Sequence, residues 1–325
     1  MEMDVNIKEL YEKGINIQKY FKEIKGTKEN DIDSILYSYD FQAGSYTREY
    51  FDEEVMKDKW ILNGRIVDMT RRQVVELRSQ YIAEELKTLH AKTILEVGTG
   101  EGTNLCDIVL RCDKEIQFSG LELALSRLLY AQKFADLKKV NIDFVCGNMF
   151  SLPYKDNSFD VIFLNHCLES NTGKEKEALK ELLRVARKYI ILLEPSYELG
   201  NEESRRRIKE LDYITNLQQT LQELNLNVIR NELFPISSRD NNTAITIIEK
   251  ERGKIETQTT GDSVYACPKC KKGLKRHREA YYCPECFSLY PVFHNIPVLN
   301  PDNAVLCSKY ESDDCFLNGR GRNEA

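Results

Sequence analysis

The most constraining stretch of this 325-residue chain is Ile94-Leu-Glu-Val-Gly98-Thr-Gly100-Glu-Gly102. A short apolar strand feeds three closely spaced glycines, and the spacing predicts a helix over Thr103 to Arg111 beyond them. Glycine belongs where backbone must turn sharply or approach a ligand with no Cβ in the way. A glycine triplet alone is weak evidence. Here the next strand, Gln117 to Leu121, ends on an acid, Glu122. A carboxylate at that place can accept hydrogen bonds from both hydroxyls of a ribose.

Alternation continues on both sides of this unit. Apolar runs predict strands at Thr93 to Val97, Gln117 to Leu121, Ile142 to Cys146, Phe159 to Leu164 and Tyr189 to Leu193. Helical patterns lie between them at about Ala124 to Lys138 and Lys174 to Arg187. Such order reads as a parallel sheet covered on both faces. A long polar helix is expected from Glu202 to Leu224. Two further strands, Asn227 to Leu233 and Ala244 to Glu249, are joined by a short loop and should pair antiparallel. Before the sheet, Ile7 to Ile24 and Arg71 to His90 have helical periodicity. Between them lies an aromatic-rich stretch, Tyr37 to Tyr46, that could fold over a pocket as a lid.

The glycine spacing is G-x-G-x-G, not the dinucleotide G-x-G-x-x-G. Glu96 precedes the loop, where a carboxylate would meet an ammonium group favourably and a pyrophosphate unfavourably. The third strand runs into Cys146-Gly147-Asn148-Met149, and Asn148 could hydrogen-bond an adenine amine. Then follow Ser151-Leu-Pro153 and Ser158-Phe159-Asp160. In combination these motifs, over roughly residues 70 to 250, resemble the class I methyltransferase superfamily. The resemblance implies a Rossmann-like, seven-stranded, mostly parallel doubly wound sheet with the final strand antiparallel. It implies S-adenosylmethionine as cofactor, held by Glu96, Gly98, Thr99, Gly100, Gly102, Glu122, Leu123, Asn148, Met149 and Asn165, with Tyr46 from the lid. The family usually has aspartate where Asn148 stands; asparagine keeps the acceptor oxygen and loses the charge.

In an open α/β sheet the site lies beyond the C-terminal ends of the strands. The fourth strand ends in Asn165-His166-Cys167-Leu-Glu169. His166 is the candidate general base, with Asn165 and Glu169 as positioners; equally, His166 could cap the next helix or pack beneath the cofactor. The fifth strand brings Glu194 to the same rim. Arg205, Arg206 and Arg207 could bind an anionic acceptor, although a solvated face is the commoner use of such a run.

Ten cysteines are present, and four of them form two C-x-x-C pairs, Cys267/Cys270 and Cys283/Cys286, twelve residues apart. That spacing brings four thiolates into a tetrahedron for structural zinc. The residues that follow, Leu289 to Leu299, resemble the small zinc-ribbon partner protein of translation-related methyltransferases. Lys269, Lys271, Lys272, Lys275, Arg276 and Arg278 make the first half of this module basic, which could contact RNA. The expected organisation is an N-terminal helical lid segment (1–70), the sheet domain (71–250), a linker (251–263), the ribbon (264–300) and a flexible tail (301–325).

The net charge of −6 argues against nucleic-acid binding driven by bulk charge. The charged N-terminus has no apolar segment of a signal peptide, and no stretch approaches a membrane span, so a cytoplasmic protein is expected. A methyltransferase acting on a small molecule or sugar fits best. The alternatives are a translation-related macromolecule (tRNA, rRNA or protein) as acceptor, or a non-catalytic cofactor-binding scaffold, which would have no need of the glycine loop and Glu122.

Overall fold

The computed structural model describes residues 6–27, 29–52, 58–250, 263–277 and 279–310. Of the expected linker (251–263), residues 251–262, and of the expected tail (301–325), residues 311–325, Cys315 included, lie outside the described residues.

Four short helices open the chain: α1 (Ile7–Glu12), α2 (Ile17–Lys25), α3 (Ile32–Phe41) and α4 (Ser45–Phe51). A hairpin of β1 (Asp58–Leu62) and β2 (Arg65–Met69) precedes α5 (Arg71–Thr88). The alternating section follows as β3 (Thr93–Val97), α6 (Thr103–Val109), β4 (Gln117–Glu122), α7 (Leu125–Lys138), β5 (Asp143–Cys146), β6 (Phe159–Asn165), α8 (Glu175–Val185) and β7 (Ala186–Pro195). It closes with α9 (Glu202–Glu210), α10 (Leu217–Glu223), β8 (Asn227–Leu233), β9 (Ile236–Ser238) and β10 (Thr243–Glu249). The cysteine-rich end holds β11 (Lys275–His277), β12 (Ala280–Tyr282), β13 (Ser288–Phe293), β14 (Ile296–Pro297) and β15 (Val305–Leu306).

Seven strands form one sheet in the order β5-β4-β3-β6-β7-β10-β8. The first five are parallel, and β10 runs antiparallel to both its neighbours. Leu95, Val97, Ile162 and Leu164 on one face of β3 and β6, and Ile94, Val161 and Phe163 on the other, are all fully buried, as a sheet covered on both faces requires. The order reverses between β3 and β6, so the loops leaving these two strands diverge and open a crevice at their C-terminal ends.

Two expectations about helices are corrected, and the aromatic stretch acquires a secondary structure. The helix expected over Ile7 to Ile24 breaks at Gly14, whose φ is +76°, and Asn16 caps the start of α2 by accepting from the Lys19 amide. The helix expected from Glu202 to Leu224 breaks after Leu211. Asp212 takes a left-handed conformation (φ +52°) and the Tyr213 amide bonds back to the Ile208 carbonyl. The aromatic stretch at Tyr37 to Tyr46 is mainly helical, spanning the end of α3 and the start of α4. A three-stranded sheet, β2-β1-β9, has no counterpart in the sequence reading. Its turn carries a recognisable signal, Asn63-Gly64, with both residues at positive φ as a two-residue hairpin demands.

The cysteine-rich end packs on the β5 edge. Val298 bridges Cys146 in parallel register, and the Leu299 amide bonds to the Cys146 carbonyl at 2.8 Å. Nearby, the Lys155 amide bonds to the Val264 carbonyl and the Ala266 amide to the Pro153 carbonyl. Leu299, Tyr290 and Val292 join the core cluster that lies under α8. Among the described residues no helix is long and apolar enough to cross a membrane.

Candidate functional site

The crevice holds a cavity of about 430 Å³ walled by the glycine loop, the ends of β4 and β6, the lid helices, α5, and residues of α9 and β9. Gly98, Gly100 and Gly102 all have positive φ, between +58° and +79°. A Cβ on Gly98 would stand 2.2 Å from the Cys167 sulfur, and one on Gly100 would stand 2.7 Å from the Arg127 guanidinium. Gly102 has a different duty. It does not line the cavity, and a Cβ there would press on Ala131 at 3.1 Å, so it lets α6 pack against α7.

Glu122 is held by backbone. Its Oε2 accepts from the Gly100 amide at 2.9 Å, and its Oε1 accepts from the amides of Leu123 (3.0 Å) and Ala124 (3.1 Å). The carboxylate therefore fixes the glycine loop against the end of β4 and keeps lone pairs toward the cavity. Glu96 lies beneath the loop, 2% exposed, accepting from the Thr99 hydroxyl at 2.7 Å. Burial pushes its carboxyl up to about 8, the Thr99 hydrogen bond opposes this, and the Glu122 charge adds to it. Asn148 lines the cavity and its Oδ1 accepts from the Phe150 amide at 3.0 Å, capping a short 3₁₀ turn. Thr99, Leu123 and Met149 line it too.

The lid is tied to the glycine loop by a residue to which sequence reading gave no role. Glu101 is 1% exposed, and its carboxylate accepts from the amides of Gly44 (2.9 Å), Tyr46 (3.2 Å) and Thr47 (2.7 Å) and from the Thr47 hydroxyl. It thus caps α4 from another part of the chain, since Gly44 offers no side chain for the purpose. Arg127 of α7 is equally unforeseen. Its guanidinium lies 5.1 Å from the Tyr39 ring centroid and 4.9 Å from that of Tyr46, and the Arg71 guanidinium is also 4.9 Å from Tyr46. Tyr39, Gln42 and Tyr46 all line the cavity.

At the opposite rim stand Asn165, His166 and Glu169. His166 has a left-handed backbone (φ +56°), and both ring nitrogens are engaged: Nδ1 with Glu169 Oε2 at 2.9 Å, Nε2 with Thr243 Oγ1 at 2.8 Å. Asn165 Oδ1 accepts from Arg78 Nη1 at 3.3 Å. Glu194 does not face the cavity. It accepts from the amides of Cys167, Leu168 and Glu169 and so shapes the loop after β6. Burial, with the Glu169 charge beside it, pushes Glu194 up to about 8. Arg207 of α9 and Tyr213 just past the break stand on the cavity wall, whereas Arg205 turns to the carbonyls of Tyr197 and Glu198 and Arg206 to Glu210.

The four expected metal ligands converge. The Sγ atoms of Cys267, Cys270, Cys283 and Cys286 all lie within 4.8 Å of one another. Tetrahedral zinc, with Zn–S of roughly 2.3 Å, asks for sulfur–sulfur separations of roughly 3.8 Å, so the set fits. The Tyr290 hydroxyl lies 3.3 Å from Cys267 Sγ, and Ser288 Oγ lies 3.3 Å from Cys286 Sγ. Of the basic residues in this module, Lys271 is committed to Glu181 at 2.8 Å, and Arg278 lies outside the described residues.

Residues 94–189 match the family model of a methyltransferase domain. Over 97 residues the chain is 30% identical to ajmaline N-methyltransferase of Rauvolfia serpentina, covering 29% of this chain and 32% of that protein. Over 106 residues it is 28% identical to demethylmenaquinone methyltransferase of Renibacterium salmoninarum, covering 33% and 41%. These matches span about a third to two fifths of the relatives' length. Among solved structures, magnesium protoporphyrin IX methyltransferase from Synechocystis PCC 6803, with bound SAH, is similar with a TM-score of 0.52 and 13% identity, covering 68% of this chain and 100% of that one. The [4+2]-cyclase SpnF is similar with a TM-score of 0.54 and 16% identity, covering 69% and 98%. At such identities the likeness is one of fold, and the second case shows that this fold carries more than one reaction. By sheet order, glycine loop and these likenesses together, the chain has the fold of class I S-adenosylmethionine-dependent methyltransferases, and its residues 94–189 match the methyltransferase-domain model.

Proposed function

We propose that this protein transfers a methyl group from S-adenosylmethionine to a small-molecule acceptor, and that its cysteine cluster holds a structural zinc. The observation that carries the first part is the positive-φ glycine loop locked to Glu122 and roofing the buried Glu96 at the mouth of the cavity. The residues fit the cofactor: Glu122 for ribose hydroxyls, Glu96 for an ammonium group, and Asn148, Leu123 and Met149 for adenine. When bound, the cofactor supplies an electrophilic methyl group. The chain's own part is to place the acceptor in line with it and exclude water, which the lid, Tyr39 and Tyr46 favour.

Since both nitrogens of His166 are engaged, we assign His166 to holding Glu169 in place, and Glu169 to receiving any proton the acceptor gives up. A cavity walled on several sides by lid and strand ends favours a small acceptor over a macromolecule. Four protein thiolates leave zinc no open position, which supports a structural role. Labelled S-adenosylmethionine incubated with the protein and cell extract, then split into small-molecule and acid-precipitable fractions, tests the assignment. Label in the small-molecule fraction is expected. Label only in the precipitate would overturn the acceptor class, and absence of both transfer and calorimetric binding of S-adenosylhomocysteine would overturn the whole.

A further inference from the structure

Four arginines line the cavity, and they are not equivalent. Arg127 is answered by the nearby charges of Glu122 and Glu101. Arg207 is ion-paired with Asp240 at 2.8 Å. Arg71 and Arg78 have no carboxylate within ion-pair distance among the described residues. Arg71 stacks on the Tyr46 ring, and Arg78, 8% exposed, donates only to the neutral Asn165. The buried Nε of all four arginines has no hydrogen-bond partner, and neither does the indole nitrogen of Trp60, which lines the same cavity, so it is the lack of a counter-charge that sets Arg71 and Arg78 apart. The two guanidiniums also act on one another. Burial, and then the Arg71 charge, lower Arg78 to about 10, with Glu169 opposing, so it stays cationic at neutral pH.

Burying a charge without a counter-charge is costly, and two like charges facing one cavity are costlier still. A protein keeps such a pair where a ligand completes it, and guanidinium suits planar or tetrahedral oxyanions through paired N–H donors. Arg71 and Arg78 stand seven residues apart on α5, two turns along one helix face, so both reach the cavity from one rigid element.

We infer that Arg71 and Arg78 form an anion subsite on the acceptor side of the cavity, selecting an acceptor that bears a carboxylate or a phosphate group. This deepens the methyltransferase reading above and rests on it. Glu169 and the fixed His166 lie on the same wall as Asn165, the residue Arg78 touches. An acceptor anchored there by its anion would present a nucleophilic atom between Glu169 and the cofactor pocket.

The test begins with protein saturated with S-adenosylhomocysteine, titrated in a calorimeter with benzoate, inorganic phosphate and neutral benzamide. Binding of benzoate or phosphate but not benzamide is expected, and which anion binds names the acceptor group. The double variant Arg71→Gln/Arg78→Gln should lose that binding at least tenfold while holding S-adenosylhomocysteine within threefold of wild type. Arg71→Gln alone, at the half-buried first position of α5, serves if the double variant fails to fold. Absence of anion binding in the wild type, or equal binding in the variants, would overturn the inference. So would variants that weaken S-adenosylhomocysteine yet keep full affinity for 5′-methylthioadenosine, which lacks the carboxylate, because the arginines would then hold the cofactor's own carboxylate. A wild type that binds no S-adenosylhomocysteine would instead count against the methyltransferase reading itself.

Discussion

Replacing Glu101 should release the lid without unfolding the sheet. The carboxylate accepts three amides of the turn that starts α4, together with the Thr47 hydroxyl. Hydrogen bonds to a charged group contribute about 1.5–3 kcal/mol each, and those made by one carboxylate do not add fully. Glu101→Gln keeps the shape but removes the charge and turns one acceptor oxygen into a donor facing amide hydrogens. About 1.5–3 kcal/mol should be lost, which is roughly a 10- to 140-fold rise in the open population of α4 at about 1.4 kcal/mol per decade. The cost falls on the first turn of α4, which has no cap of its own, while its far end stays anchored by Tyr50 in the core cluster on one face of the sheet. Hydrogen exchange read at Ser45 to Thr47 is the assay. Exchange there should speed up by that factor, with β3 and β6 amides unchanged, and S-adenosylhomocysteine should bind more weakly by no more than the same factor. Protection of Tyr46 and Thr47 within threefold of wild type would refute the claim that Glu101 holds the lid.

Three further outcomes are expected. Glu122→Ala removes the acceptor of the Gly100, Leu123 and Ala124 amides as well as the ribose partner, so S-adenosylhomocysteine affinity should fall at least a hundredfold, about 3 kcal/mol; an unchanged calorimetric Kd would sink the cofactor assignment. Metal analysis should find one equivalent of zinc in the wild type and none in Cys283→Ser, and a full metal content in the variant would show the ligand set to be wrong. Glu96 and Glu194, both raised to about 8 in the folded chain, bind protons there that the unfolded chain releases near pH 4. Their contribution therefore declines as pH rises from about 5 to 8 and levels off above it; urea midpoints across that range should fall, less steeply in Glu96→Gln, and a rising midpoint would contradict the sign.

What could be read from the sequence was local. The strand–loop–helix units at Thr93 to Cys146 carry their own signals: apolar runs, glycines, and an acid at a set distance. The cysteine pairs are equally explicit. The residues that were missed act across large separations. Arg78 and Arg127 look on the sequence like helix-surface charges, and their meaning comes from Asn165 and from Tyr39 and Tyr46, more than eighty residues away. The hairpin at Asp58 to Met69 was missed for another reason: Asp58, Lys59, Arg65 and Asp68 dilute its apolar pattern, and only Asn63-Gly64 marks it. For His166 the sequence places the side chain at the rim, but it cannot show that Glu169 and Thr243 occupy both ring nitrogens.

The two sides of the cofactor pocket are braced by different parts of the chain, and this bears on why a ribbon is fused here at all. The lid side depends on Glu101. On the proposed reading the adenine side is the segment from Cys146 to Lys155, and the cysteine-rich end bonds to it at several points. Val298 and Leu299 pair with Cys146, the Pro268 carbonyl accepts from Ser151 at 2.5 Å, and Tyr265 and Val264 meet Tyr154 and Lys155. Gly147 itself has the Leu299 carbonyl 3.5 Å from where a Cβ would sit. A module that only covered apolar surface would have no reason to bond so many backbone groups of this one loop. Holding Asn148 and Met149 in a fixed position lowers the ordering cost of adenine binding, as any pre-formed site does. The cysteine-rich end thus braces the segment that carries Asn148 and Met149 without itself lining the cavity, and, on the zinc reading proposed above, removal of the metal should loosen that segment before it disturbs β3 and β6 in the centre of the sheet.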